Sequence, residues 1–265
     1  MLRKLLKYNL KNQFKFFGII YGLIVFNAIT ARLLSSIDNA PTIIIIMKDI
    51  CSGTMWAMIV NVFISNIFRV WHEFRSSMYG DESYLMHTLP VKSSTLYWSK
   101  FLGALIILIT NIVISGIGIL TAYADTALFE WVKNILDSIS STANTTAIIY
   151  IIILGAVIFL EILNIILTGF LAIIFGHKKN SNKILWSVIS GFIIYTITQT
   201  AIIVVYAISG IFNSEMFGLF TGGGSSFDPQ TTKNMLIESG FIYIALVAAL
   251  GVVSAKMLNR GFDID

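Results

Sequence analysis

The chain has 265 residues, of which 56% are hydrophobic and 12% are charged, and its mean hydropathy is +0.82. Soluble domains carry about 25% charged residues, so this composition excludes a soluble globular protein, and it excludes a disordered chain for the same reason. Apolar runs longer than the roughly 20 residues that cross a bilayer recur along the chain, whereas a transmembrane barrel has alternating segments of about 10 residues. The composition therefore predicts an all-α polytopic membrane protein.

Cysteine content and charge exclude several kinds of site. The single cysteine, Cys51, excludes an internal disulfide, and no group of cysteine and histidine residues has metal-ligand spacing. The net charge is +4, but the basic residues lie at the ends of apolar runs and not in a patch interleaved with aromatic residues. We therefore expect no metal site and no nucleic-acid partner.

Six apolar segments, taken in chain order, predict six transmembrane helices that form a single transmembrane domain over residues 1–265. These segments are residues 16–36, 50–68, 97–122, 147–175, 184–212 and 239–257. Residues 41–47 include four consecutive isoleucines, so the second helix could begin there and tilt, or a separate outer-leaflet segment could precede it. Residues 123–146 and 213–238 are predicted to be extracellular loops, and residues 128–139 have the apolar spacing of a surface helix.

The distribution of lysine and arginine predicts the orientation of these helices. Fourteen of the 18 basic residues lie at the ends of the segments on the side of the two termini. The other side holds only four, which are Arg32, Lys48, Lys133 and Lys233. Cytoplasmic loops carry the excess of lysine and arginine, so we expect both termini to be cytoplasmic in a multi-pass protein of a bacterial plasma membrane. A cleaved signal peptide is disfavoured for the first helix because no small-residue cleavage site follows the apolar run.

Residues 1–15 have the pattern of an amphipathic segment. Leucines recur every four residues at positions 2, 6 and 10, and lysines occupy another face at positions 4, 7, 11 and 15. A basic amphipathic helix of this kind binds anionic membrane lipids at the cytoplasmic surface. A plain charged flank that only fixes the topology is an equally good interpretation.

The connection between the second and third helices, residues 69–96, is predicted to be a cytoplasmic coupling loop. Gly80 can end a preceding turn, and Asp81 can cap a new helix that has Glu82 in its first turn. Pro90 stops this helix after about two turns. A serine at position 93 or 94 then caps the third helix, whose first turn places Lys100 at the depth of the lipid headgroups.

The segment Tyr79-Gly-Asp-Glu-Ser-Tyr-Leu-Met-His-Thr-Leu-Pro-Val, followed by a serine-rich cap and a Ser-Lys pair, resembles the permease subunits of type-two ATP-binding-cassette (ABC) exporters. The six-helix plan extends this resemblance over nearly the whole chain, although the extended outer domain of larger members is missing. The resemblance implies a half-transporter that pairs with a second permease chain, identical or paralogous. It also implies separate ABC ATPase subunits that carry ATP and Mg, so that this chain has no cofactor and is not an enzyme. The residues that would contact the ATPase are Tyr79, Asp81, Glu82, Tyr84, Leu85 and Met86.

The same segment supports this interpretation by its chemistry. A short helix with acidic residues at its start and apolar residues along it can place an anchor in a partner groove while the acids pair with cations at the rim. The alternative is a helix that only seals the inner end of the bundle.

Polar residues inside the predicted spans form a second candidate site. Glu161 is the only unambiguous full charge deep in a span, where a carboxylate costs about 2.5–3.5 kcal/mol on insertion scales. Asn164 and Thr168 continue its stripe, and Tyr195 and Gln199 share a face of the fifth helix. These residues predict a buried polar seam that either lies along the translocation path or joins helices as structural hydrogen bonds.

The expected function is export of an amphipathic or hydrophobic substrate, such as an antimicrobial peptide, a lipid-like molecule or a drug. The alternative is an ion-coupled secondary carrier with Glu161 as proton site, or a non-transporting membrane scaffold. An internal inverted repeat would favour a carrier, and the sequence shows none. No nucleophile elbow is present, His72-Glu73 has no second histidine at the zinc-protease spacing, and the glycine run at residues 222–224 has no phosphate-binding lysine. Gly103, Gly116, Gly118 and Gly155 could bring helices together between chains or within one chain.

Overall fold

The computed structural model describes residues 2–37, 40–80, 83, 92–123, 130, 133–134, 137, 147–179, 181–212 and 229–259. Six long helices account for most of this part of the chain, and all six are long and apolar enough to cross a membrane. They are α1 (Leu2–Ser35), α2 (Thr42–Tyr79), α3 (Ser93–Tyr123), α4 (Ala147–His177), α5 (Lys183–Phe212) and α6 (Pro229–Asn259). The prediction of an all-helical protein with six helices of membrane-spanning length is confirmed, and the architecture is compatible with a multi-pass membrane protein.

The first two helices are much longer than a bilayer requires. With 34 and 38 residues, α1 and α2 extend for about 51 and 57 Å at 1.5 Å per residue, whereas the hydrocarbon core is about 30 Å thick. The four isoleucines at 43–46 lie within α2, so the second helix has the earlier of the two predicted starts. Residues 2–15 and the first apolar segment form one continuous helix, and residues 69–79 of the predicted loop belong to α2.

The chain divides into two compact units, of which the first is Met1–Trp131. In this unit α1 packs against both α2 and α3. Its apolar core includes Phe17, Val62 and Ile107, one from each helix. Towards the other end of the unit, the indole Nε1 of Trp56 donates a 3.0 Å hydrogen bond to the hydroxyl of Tyr123. Ile24 of α1 packs in the same part of the unit with Met55 of α2 and Ala122 of α3. Between these two levels the residue numbers rise along α1 and α3 and fall along α2, so α1 and α3 run in the same direction and α2 runs in the opposite direction.

The second unit is Val132–Asp265, and α4 packs in it against both α5 and α6. A tight turn joins α4 to α5, and its Asn182 has a positive φ of 46°. Beyond the turn the two helices remain close, since the hydroxyl of Ser190 donates to the backbone oxygen of Ala172 at 3.4 Å. The hydroxyl of Tyr206 on α5 donates to the backbone oxygen of Met235 on α6 at 3.1 Å.

Candidate functional site

The predicted coupling segment begins where α2 ends. Tyr79 is the last residue of this helix, and the backbone N–H of Gly80 donates to the oxygen of Ser76 at 3.0 Å. A side chain at position 80 would meet that oxygen at 2.7 Å, so glycine is required by this close approach. The backbone N–H of Ser83 then donates to the oxygen of Gly80 at 2.9 Å. The helix break at Gly80 is therefore present.

The remaining residues predicted to contact an ATPase lie outside the described residues. They are Asp81, Glu82, Tyr84, Leu85 and Met86. The short helix over 81–89 therefore stays a prediction. The structure does describe the helices on which this segment is mounted, which are the end of α2 and the start of α3.

A buried polar cluster lies close to this helix end and joins all three helices of the first unit. Glu73 on α2 accepts a hydrogen bond from Lys100 on α3, with 3.0 Å between Oε1 and Nζ. Its other carboxylate oxygen, Oε2, accepts a 2.8 Å hydrogen bond from Nε2 of Gln13 on α1. The two charged side chains are only 9% and 12% exposed, for Lys100 and Glu73 respectively. We call Asn9, Gln13, Glu73 and Lys100 the Glu73 cluster.

Asn9 completes the Glu73 cluster from the same face of α1. When the amide of Asn9 is turned so that its nitrogen faces the carboxylate, this nitrogen donates to both oxygens of Glu73. The distance from the nitrogen to Oε2 is 3.1 Å. Gly103 on α3 provides the room for this side chain, because a Cβ there would overlap the Asn9 amide. The carboxylate thus receives donors from three helices, which compensates its loss of hydration.

Sequence reasoning missed the Glu73 cluster. Lys100 was predicted to lie at the headgroups and Glu73 was considered only as part of an incomplete zinc motif. The buried face of α1 begins with Asn9 and Gln13, whereas Leu2 is exposed and Leu6 is only half-buried. Positions 9, 13 and 17 share one face of α1, but the sequence does not mark this face as buried, because Phe14 and Phe16 are exposed whereas Phe17 is buried.

The predicted polar seam lies in the second unit. Glu161 is half-buried on α4, and within the described residues of this unit no lysine or arginine forms an ion pair with it. Asn164 and Thr168, on the same face of α4, are 0% and 5% exposed. Their side-chain nitrogen and oxygen atoms have no hydrogen-bond partner among the described residues. Such orphaned buried groups are rare and require water, a ligand or a moving partner.

The structure adds a residue of α6 to this seam. Tyr243 is buried, lies beside Gln199, and is within electrostatic range of Glu161, Tyr195 and Tyr206. The structure therefore brings Glu161, Tyr195 and Gln199 together around a tyrosine of a third helix, which sequence reasoning missed. The buried Nε2 of Gln199 has no partner that meets hydrogen-bond geometry among the described residues. This group can offer hydrogen bonds and one carboxylate to a polar or cationic ligand.

Further polar groups lie in the core of the first unit. The hydroxyl of Tyr21 donates to Oδ1 of Asn111 at 2.5 Å, and Asn111 is fully buried. Asn66 on α2 is also fully buried, and neither atom of its amide has a partner among the described residues. These residues lie between the Glu73 cluster and the other end of the unit.

In comparisons with known proteins, the chain matches no family model, no curated protein and no solved structure. A functional assignment therefore depends on the helices and polar groups described above.

Proposed function

We propose that this chain is the membrane-spanning permease subunit of an ABC exporter in a bacterial plasma membrane. The observation that carries the proposal is the helical platform at one end of the first unit. There, α2 continues for several turns beyond its most apolar part and packs against the start of both α1 and α3. The segment at 81–91 connects the end of α2 to the start of α3, and the buried ion pair between Glu73 and Lys100 joins these two helices. A partner that moves this segment would therefore act on all three helices.

The charges near this helix end fit a soluble partner on the cytoplasmic side. Exposed basic residues include Arg3, Lys4, Lys7 and Arg75, and the guanidinium of Arg69 lies 4.8 Å from the centre of the Phe16 ring. This excess of positive charge is the signature of a cytoplasmic face. Asp81 and Glu82 follow this basic region in the sequence, and their carboxylates can pair with cations at the rim of a partner.

In the proposed mechanism, ATP and Mg bind to separate ATPase subunits, and this chain supplies the path and the mechanical link. The seam of Glu161, Asn164, Thr168, Tyr195 and Gln199 lies along that path. Its orphaned donors and acceptors suit a substrate with polar groups on an apolar body. An amphipathic peptide, a lipid-like molecule or a drug has this character. A second permease chain completes the transporter.

The test is purification of the tagged full-length chain from its host membranes, followed by identification of associated proteins and measurement of ATP hydrolysis. We expect a chain with a Gly-x-x-x-x-Gly-Lys-Ser/Thr motif to co-purify. The double substitution Asp81→Lys and Glu82→Lys should reduce its recovery at least tenfold, because two attractive charges become repulsive. Asp137→Lys is the matched control, since this exposed carboxylate lies in the predicted outer loop. Equal recovery of the ATPase with the double variant and with the control contradicts the docking role.

One observation favours the alternative of an ion-coupled carrier. In each three-helix unit the first helix packs against the other two. This shared contact pattern is compatible with the internal repeats from which many secondary transporters are built. Uptake into sealed vesicles separates the two functions. A carrier transports in response to an imposed proton gradient without ATP, whereas the proposed permease requires the ATPase and its nucleotide.

A further inference from the structure

The Glu73 cluster occupies a special position along the chain. Glu73 lies six residues before the end of α2 at Tyr79, and Lys100 lies seven residues after the start of α3 at Ser93. Their ion pair therefore bridges the two ends of the segment at 80–92. Gln13 and Asn9 connect the same carboxylate to α1. A movement of the end of α2 or the start of α3 relative to α1 would strain the hydrogen bonds to this carboxylate.

Stability alone does not explain a buried ion pair at this position. Apolar residues of similar volume often stabilise a protein as much as a buried pair of charges or more, so such pairs are better explained by the specific geometry that they impose. Here the geometry is strict. The carboxylate is held by one ammonium and by two amides, and Gly103 leaves the space that Asn9 needs.

We propose that Glu73 is the positioning residue that makes α1 follow movements of the end of α2 and the start of α3, so that ATP hydrolysis by the partner drives transport. This inference rests on the proposed function. Lys100 fixes the distance between α2 and α3, and the amides of Asn9 and Gln13 make α1 follow them.

The first measurement requires no partner. Cysteines replace the exposed Tyr8 on α1 and the exposed Arg75 on α2, in a chain with Cys51→Ser, and spin labels report their distance in lipid nanodiscs. Glu73→Gln should broaden the distance distribution, as should the double variant Glu73→Gln, Lys100→Gln, which leaves no uncompensated buried charge. Asp49→Asn is the matched control, because it removes an exposed ion pair, Lys48–Asp49, from the same helix. A distribution as narrow as that of the control in both variants overturns the proposal.

The second measurement uses the chain together with its co-purified ATPase and compares transport with ATP hydrolysis. Both variants should bind the ATPase normally and lose at least tenfold in molecules transported per ATP hydrolysed. The exchange Glu73→Lys, Lys100→Glu should recover much of this ratio, because Asn9 and Gln13 can turn their amide oxygens towards the new ammonium. A ratio within twofold of the unmodified chain in both variants overturns the inference. If no ATPase co-purifies with the unmodified chain, the proposed function fails, and the coupling role of Glu73 fails with it.

Discussion

Gly176 lies where α4 and α5 approach each other most tightly near their connecting turn. A Cβ at this position would lie 2.6 Å from the backbone nitrogen of Ser187 and 2.7 Å from the backbone oxygen of Lys183. Backbone atoms of a helix cannot yield as a flexible side chain can. Gly155 on the same helix is different, because nothing lies within 4 Å of a Cβ built there.

We therefore expect Gly176→Ala to destabilise the second unit by about 1–3 kcal/mol through overpacking. Gly155→Ala should be neutral or stabilise by about 0.5–1 kcal/mol, because alanine is favoured over glycine inside a helix. Thermal unfolding of the purified protein in detergent compares the two variants. Equal melting temperatures for both variants would show that the close approach at Gly176 is not maintained.

Glu161 gives a second prediction at this scale. If its carboxyl only joins helices by hydrogen bonds, Glu161→Gln should retain both stability and transport, because glutamine has similar shape and hydrogen-bonding capacity. If Glu161 takes part in transport, Glu161→Gln should assemble normally and fail to transport. In the structural role, Glu161→Leu should lose about 0.6–2 kcal/mol for each hydrogen bond between helices that it removes. Normal stability and normal transport in Glu161→Leu would contradict both roles.

At the scale of the helices, α1 and α2 both extend well beyond the length of a bilayer crossing at the end that holds the Glu73 cluster. The extension of α1 carries five exposed basic residues, and that of α2 carries the exposed Arg75 and the partly exposed Arg69. A helix that leaves the bilayer must satisfy its polar side chains by water or by other helices. The exposed lysines form hydrogen bonds with water, whereas the residues of the Glu73 cluster form them with one another.

The orientation of the helices can be tested by labelling single cysteines in whole cells, in a chain with Cys51→Ser. A cysteine at Tyr8 or at Ser181 should react only after permeabilisation, and one at Asp137 should react from outside. All three positions are exposed, whereas Ser77 is fully buried and would be a poor probe. Reaction of Tyr8→Cys from outside would reverse the orientation and would place the 80–92 segment away from any cytosolic ATPase.

At the scale of the whole molecule, the glycines suggest which surfaces are free for a second chain. Gly103 and Gly118 are occupied within the first unit, because a Cβ at Gly118 would lie 2.8 Å from the Ile24 side chain and one at Gly103 would meet Asn9. Gly116 and Gly155 have open space around them. Small residues on a lipid-facing surface allow close approach of another helix.

We expect transport to require two permease chains, with Gly116 or Gly155 at the contact. Gly116→Leu and Gly155→Leu should reduce cross-linking between differently tagged copies, or between paralogues, without changing the fold of either unit. Cross-linking yield and circular dichroism measure these two properties on the same preparations. Full transport by one chain in a nanodisc with one ATPase would contradict the requirement for a second chain.

The amino-acid sequence by itself determined that the chain is helical and has six helices of membrane-spanning length. The physical reason is local, because a run of apolar residues is costly in water whatever surrounds it. Gly80 is a possible helix break in the sequence, but the pattern places residues 69–79 in a loop, whereas the structure includes them in α2. The sequence does not decide where α2 begins, because residues 41–47 are apolar and fit either the start of α2 or a separate outer-leaflet segment. In the structure α2 begins at Thr42 and packs against α1.

Only the tertiary structure decided which faces of the helices are buried and which polar residues meet. In a soluble helix the apolar stripe identifies the buried face, but in these helices nearly every position is apolar, so the pattern leaves the rotation of each helix about its axis undetermined. The pairing of Glu73 with Lys100, the burial of Asn9, and the arrival of Tyr243 beside Gln199 all depend on that rotation. Packing against neighbouring helices fixes it, and in the first unit the observed rotation places Glu73 within reach of Lys100 and Gln13.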